Sequence, residues 1–142
     1  MASITHKLTI PSSTRYLVEV RDFVKGHAAK AGFSSQAIEY LKLAVDEACT
    51  NVIKHAYKDD RENIVDVAII VTDDKFVIRL RDRGIAFNEA EYQLPDLKES
   101  ISEGKRGGLG VKLMNRLMDR VEYRTHDGVN ECCLVKYRED NS

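Results

Sequence analysis

The chain reads as an α+β domain: a two-layer α/β sandwich with a mixed, mainly antiparallel sheet and its helices on one face. Three observations predict this. Two pairs of β-rich runs are separated by turn signals, residues 64–72 and 76–81 around Asp73-Asp74-Lys75 and residues 121–125 and 130–137 around Asp127-Gly128. Each pair reads as a hairpin, and hairpins pair antiparallel. Two amphipathic helical stretches follow one another near the N-terminus with no strand between them. Strands and helices are therefore too few, and wrongly ordered, for a doubly wound sheet. At 142 residues the chain reads as one domain spanning residues 1–142, long enough to bury roughly 68–70% of its unfolded surface without staples.

Taken in order, residues 6–10 alternate and predict a short edge strand. Pro11-Ser12-Ser13 supplies a helix start, Leu17, Val20, Phe23, Val24 and Ala28 recur at helical spacing, and Gly32 is a natural stop. Ser34 and Ser35 open a second helix that runs to about His55. The first hairpin follows. From Arg83 to Gly108 periodicity fails, in a segment with Pro95, several acidic residues and a glycine-rich end. That length is too great for an idle connection and predicts a functional loop. Residues 109–118 return to helical spacing, with Leu109, Leu113, Leu117 and Met118 as the apolar stripe, and the second hairpin closes the chain. The expected order is β-α-α-β-β-loop-α-β-β, with the far face of the sheet partly exposed or covered by a partner.

Composition narrows the function. Hydrophobic content of 43% beside 32% charged residues is that of a folded globule. Lys and Arg number 22 against 23 Asp and Glu, so there is no basic excess to favour nucleic acid or an anionic membrane. The longest apolar runs, such as Val67-Ala68-Ile69-Ile70-Val71, are of strand length, and no apolar leader opens the chain. Three cysteines, two of them adjacent and none in a C-x-x-C pair, argue against a disulfide framework or zinc site and for a reducing cytoplasm.

Three segments carry chemistry. On the second helix, at about 100° per residue, Ile38, Leu41, Val45, Ala48, Val52 and Ala56 form the core stripe. Glu39, Lys42 and Asp46 face solvent, and Glu47, Asn51, Lys54 and His55 make a third group. Glu47 and Asn51 are i,i+4 neighbours that can converge on one ligand. A carboxylate can take a proton, and an amide oxygen is a hard ligand suited to Mg2+. Asp82 ends a strand with Gly84 two residues on. It can accept from an exocyclic amine while the glycine lets backbone approach a base. The run Gly104-Lys105-Arg106-Gly107-Gly108-Leu109-Gly110 opens a helix, whose bare N–H groups suit phosphate, with Lys105 and Arg106 adding charge. The spacing is not that of a Walker loop, and no Ser or Thr follows the lysine, which leaves Asn51 as the metal-ligand candidate. Singly, these segments read as a polar stripe, a turn and a hinge. Together they meet the three needs of Mg-ATP.

As a set, the segments resemble the GHKL-type ATPases, the group that includes histidine-kinase catalytic domains, gyrase B, Hsp90 and MutL. Glu47-x-x-x-Asn51 resembles that family's N box, Asp82-x-Gly84 its first glycine box and residues 104–110 its second. Within the group, Asp46-Glu47-Ala48-Cys49-Thr50-Asn51-Val52-Ile53-Lys54-His55-Ala56-Tyr57 and Asp82-Arg83-Gly84-Ile85-Ala86-Phe87-Asn88 are similar to the anti-sigma serine/threonine kinases of the RsbW and SpoIIAB type. The resemblance spans residues 5–138. It implies Glu47 as catalytic base, Asn51 on Mg2+, and Asp82 on the adenine amine with Gly84 and Phe87 nearby. It also implies Gly107, Gly108, Leu109 and Gly110 around the phosphates, Lys105 or Arg106 at the γ-phosphate, and residues 88–107 as an ATP lid. Lys54 and His55 extend the nucleotide stripe. Relatives carry a Gly-Thr near the last strand that supports the adenine. Here the local sequence is Gly128-Val129-Asn130-Glu131, and either Thr125 or Asn130 stands in for it. The implied activity is phosphorylation of an anti-anti-sigma, STAS-type antagonist, with a sigma factor or equivalent held otherwise and a homodimer as the assembly. No nucleic acid or membrane is a direct partner. The alternative is a nucleotide-dependent binding regulator without significant kinase activity.

Overall fold

The computed structural model describes residues 3–56, 64–82 and 117–138. Strand β1 (Ile4–Pro11) leads through a short turn of 3-10 helix into α1 (Leu17–Lys30) and α2 (Ser35–Ala56). Strands β2 (Ile64–Val71), β3 (Lys75–Asp82), β4 (Arg120–His126) and β5 (Val129–Tyr137) complete one five-stranded sheet in the order β1-β2-β3-β5-β4. All four pairings are antiparallel, so the expected parallel component is absent among the described strands. The fold is otherwise the expected two-layer α+β sandwich. Predicted strand ends move by a residue or two, and β1 is longer at both ends than the alternation indicated.

Local chemistry sets the boundaries. The Ser34 hydroxyl accepts from the Ala37 N–H at 3.1 Å and caps α2. Helix α1 stops at Gly32, whose φ of 92° suits glycine alone among ordinary choices. There the Phe33 N–H donates to the Ala28 carbonyl and the Gly32 N–H to that of Ala29, a Schellman closure. In the last hairpin Asp127 and Gly128 both have positive φ, 52° and 77°, the two-residue turn whose twist matches the strands. That turn places Thr125 opposite Asn130.

Alternation along the strands divides the sheet into two faces. Val65, Val67, Ile69, Phe76, Ile78, Leu80, Cys132 and Leu134 are buried under Val20, Val24 and Ala28 of α1 and Leu41, Val45, Ala48 and Val52 of α2. Ala44, Cys49 and Ile53 are buried too, so the α2 stripe is wider than the sequence reading made it. Met118, from the predicted third helix, joins this core, while residues 109–116 of that helix lie outside the described residues. Burying each large aliphatic or aromatic side chain is worth about 1.5–3 kcal/mol, whereas a half-exposed ion pair contributes about 0–1 kcal/mol. The core therefore outweighs the surface pairs. The opposite face carries Arg79 and Arg81 around Glu131, and Arg120 and Arg124 around Glu122. Among the described residues no helix is long and apolar enough to cross a membrane.

Two contacts fix the helices. Arg21 of α1 donates to Asp46 of α2 at 2.7 Å, so Asp46, expected on the solvent face, is engaged by the neighbouring helix. A helical wheel gives an angle and not what packs beside it. His27 of α1 stacks on His6 of β1, with ring centroids 3.7 Å apart, and meets Phe23 edge-on. Desolvation, then His6, then Lys30 push the His27 pKa below its ordinary 6.5. The folded state thus takes up this proton less readily than the unfolded chain, and the contribution present above about pH 6.5 is lost as pH falls. Melting temperatures are expected to drop between pH 7.5 and 5.5. In His27→Phe, which keeps a ring without a titrating group, the drop is expected to be smaller; equal slopes in both proteins would exclude the stack as its source.

Candidate functional site

Asp82 closes β3, and strand pairing decides its neighbours. It lies opposite Asn130 of β5, which lies opposite Thr125 of β4, so three side chains from three strands share one line across the sheet. Asp82 is 3% exposed and Asn130 0%. The Asn130 amide Nδ2 donates to Asp82 Oδ1 at 2.9 Å, and the Thr125 hydroxyl donates to Asn130 Oδ1 at 2.9 Å. A buried carboxylate costs several kcal/mol in lost hydration unless it is hydrogen-bonded. A bond to a charged group returns about 1.5–3 kcal/mol, and Asn130 provides one. Placing such a group at a strand end, where an apolar residue would stabilise the core, is the kind of local inconsistency that marks a functional site.

Thr125 and Asn130, the two sequence candidates for the adenine-supporting position, lie in one hydrogen-bonded line with Asp82. Asn130 touches Asp82 directly, and Thr125 stands one hydrogen bond behind it. The two residues act in series. The signal was in the sequence, because a two-residue Asp-Gly turn fixes the pairing of positions 125 and 130. Only the tertiary pairing of β3 with β5 brings Asp82 into line.

Helix α2 lies against β3 and β5 and presents the second group. Asn51 is 6% exposed, and Glu47, one turn earlier, is partly exposed. Asn51 is thus as buried as the core stripe, while Glu47 is partly exposed like Asp46 beside it. A carboxylate and an amide oxygen on adjacent turns are hard oxygen donors of the type Mg2+ takes when it shares coordination with phosphate and water, so the residues fit that ion. Lys54 and His55 fall in the last turn of α2; their side chains lie outside what the structure describes. Gly84, Phe87, Lys105, Arg106, Gly107, Gly108, Leu109 and Gly110, with the predicted lid at 88–107, also lie outside the described residues.

The cysteines do not join this chemistry. All three are free thiols. Burial, with Asp46 adding to it, pushes Cys49 up to about 12. Cys132 is also pushed up, chiefly by burial. Cys133 is raised by burial and by Glu131 and Glu122. Groups held protonated in this way are poor nucleophiles and metal ligands near neutral pH.

Known proteins resemble the chain in sequence and in fold. A family model described as a histidine kinase-like ATPase domain matches residues 10–136. Among curated relatives, the serine-protein kinase RsbW of Bacillus subtilis (strain 168) is 34% identical over 136 residues, covering 92% of this chain and 84% of its own. The serine-protein kinase RsbW of Listeria monocytogenes serovar 1/2a is 36% identical over 143 residues, covering 96% of this chain and 90% of its own. Among solved structures, the RsbU and RsbW domains of Rv1364c from Mycobacterium tuberculosis superpose with a TM-score of 0.67 at 16% identity; the match covers 96% of this chain and 33% of that one. The SiaB-SiaC complex from Pseudomonas aeruginosa superposes with a TM-score of 0.62 at 15% identity, over 94% of this chain and 89% of its counterpart. At such identities the two structures speak for the fold alone. The family model covers most of the chain and the relatives are well above the level at which families are shared, so the chain belongs to the histidine kinase-like ATPase family.

Proposed function

We propose that the chain is an ATP-dependent serine/threonine protein kinase and anti-sigma regulator. In this reading it phosphorylates an anti-anti-sigma, STAS-type antagonist and otherwise holds a sigma factor or equivalent partner. ATP use follows from its family, and the kinase reading is supported by relatives named as serine-protein kinases. The observation that carries it is the buried Asp82 carboxylate, held by Asn130 at the end of β3, on a sheet whose packed helix α2 offers Glu47 and Asn51. Bound Mg-ATP supplies the γ-phosphoryl group and the cation that screens its charge. Asp82 accepts from the 6-amino group of adenine. Asn51 would hold Mg2+ through its amide oxygen. Glu47 orients the partner's hydroxyl and takes its proton as that oxygen bonds to the γ-phosphorus and the bond to the leaving ADP oxygen breaks. In this reading Gly84, Phe87, Lys54, His55 and residues 104–110 would complete the nucleotide contacts, and residues 88–107 would serve as the lid.

Val18 of α1 and Tyr40 and Leu43 of α2 are large apolar side chains exposed at 50%, 37% and 52%. They support the helical layer as the surface for a protein partner or a second copy of the chain. A cytoplasmic location fits the free cysteines. The test is transfer of labelled phosphate from ATP, with and without Mg2+, to a STAS-type protein encoded beside this chain. Mg-dependent phosphoserine or phosphothreonine is expected. Nucleotide binding and partner binding without transfer would replace the kinase by a binding regulator.

A further inference from the structure

On the sheet face turned away from the helices, strand register sets Lys7 of β1, Ala68 of β2 and Arg79 of β3 side by side in one row. Neighbouring strands lie about 4.8 Å apart, so two long cations stand about 10 Å apart across one methyl group. The next row sets Thr9, Asp66 and Arg81 in the same way. Ala68, 6% exposed, is the floor, and the longer side chains around it leave a hollow of about 210 Å³. The polar groups around this hollow are unevenly satisfied. The Asp66 carboxylate accepts from the Thr9 hydroxyl at 3.0 Å. Arg81 Nε donates to Glu131 Oε1 at 2.8 Å. Arg79 Nε lies 3.7 Å from that same oxygen, beyond hydrogen-bond reach, and is buried with no hydrogen-bond partner among the described residues. Lys7 has no ion pair among the described residues. Three cations thus face two carboxylates, one of them already shared by two arginines. A buried cationic donor without an acceptor is costly, and an anion rich in oxygen acceptors would complete it.

We propose that this hollow is a binding site for inorganic phosphate, held as hydrogenphosphate by Lys7, Arg79 and Arg81, with Asp66 accepting from its P–OH group. It lies on the opposite sheet face from Asp82 and does not rest on the ATP reading. Guanidinium forks match the oxygens of a phosphate, and the lysine adds a point charge. Asp66 decides among oxyanions. An ionised carboxylate only accepts, so it repels a ligand with no proton to offer, such as sulfate or another carboxylate. Hydrogenphosphate keeps a hydroxyl at neutral pH. A phosphate monoester, whose second pKa is about 6, has lost it. The site therefore separates free phosphate from sulfate and from a phosphorylated side chain.

The experiment titrates the full chain, free of nucleotide, with sodium phosphate at low salt and about pH 7.5, where a monoester is a dianion. Calorimetry gives the affinity, and the Arg79 Nε resonance gives the place. A dissociation constant of about 0.1–1 mM is expected, with the Arg79 resonance shifting in step. Arg79→Gln and Lys7→Gln are each expected to weaken binding about 10-fold, the loss of one charge-assisted bond. Ala68→Val keeps every charge, fills the floor and is expected to weaken binding as much. Lys7 is exposed on the edge strand β1, so Lys7→Gln tests the site even where a change at Arg79 or Ala68 disturbs the sheet. Wild type is expected to bind sulfate and phosphoserine about 10-fold more weakly than phosphate, and Asp66→Asn, whose amide can donate, to bind sulfate as well as phosphate. Phosphate that leaves the Arg79 resonance unmoved overturns the proposal, as does affinity unchanged in Lys7→Gln and Ala68→Val. Either result would put any bound phosphate elsewhere on the chain. Sulfate bound as tightly as phosphate by wild type overturns the role of Asp66. Phosphoserine bound more tightly than phosphate overturns the assignment to the free ion.

Discussion

Glu47→Ala is expected to leave ATP affinity within a few-fold of wild type and to lower phosphotransfer to a partner hydroxyl about 10²- to 10⁴-fold, the usual worth of a general base. Asn51→Ala is expected to weaken Mg-dependent ATP binding itself, with reduced transfer as a consequence. The contrast follows from chemistry on one helical stripe. Glu47 is partly exposed, and a carboxylate has usable basicity. Asn51, four residues on and 6% exposed, has none, so it can only coordinate or hydrogen-bond. Titrations with and without Mg2+, paired with single-turnover transfer on each variant, separate the roles. Wild-type transfer by Glu47→Ala, or normal Mg-ATP binding by Asn51→Ala, would reverse the assignment. Because Asn51 is buried and helical, its variant is compared at matched folded fraction. A general collapse of the fold would lower binding without Mg2+ as well, which loss of a metal ligand would not.

What was legible in the sequence was what short-range chemistry decides. Gly32 and Ser34 mark the junction of α1 and α2 because a positive φ and an orphan N–H group are local demands. Asp127-Gly128 announces its hairpin for the same reason, and that turn already implies Thr125 opposite Asn130. Glu47, Asn51 and Asp82 stand out in the sequence as candidates because few residue types can serve a base, a hard metal or an exocyclic amine. The sequence was silent where the answer depends on which elements become neighbours. The insertion of β5 between β3 and β4 is not written in any turn, yet it alone brings Asn130 to Asp82. Likewise Asp46 belongs to Arg21, and His6 to His27, only because α1 packs beside α2 and over the sheet.

Asp82→Asn is expected to weaken ATP binding about 30- to 1000-fold while leaving the fold at least as stable. The affinity loss comes from polarity and not from size. With Asn130 donating from Nδ2, an amide at position 82 satisfies that donor with its own oxygen, and its NH2 end is then turned toward the base. Adenine offers a 6-amino donor there, so donor meets donor where a charge-assisted bond had been. Loss of that bond, together with an unpaired group, costs about 2–4 kcal/mol. Stability moves the other way. Asp82 is 3% exposed, and a neutral isostere removes the desolvation penalty of a buried charge, while the strand pairing of Asp82 with Asn130 involves backbone groups that the substitution leaves in place. A merely structural Asp82 predicts the reverse pattern, a lower melting temperature with ATP affinity falling only in step with the folded fraction. Calorimetric titration with ATP beside a thermal melt of the free protein distinguishes the two. Equal ATP affinity in wild type and Asp82→Asn would remove the adenine from this site.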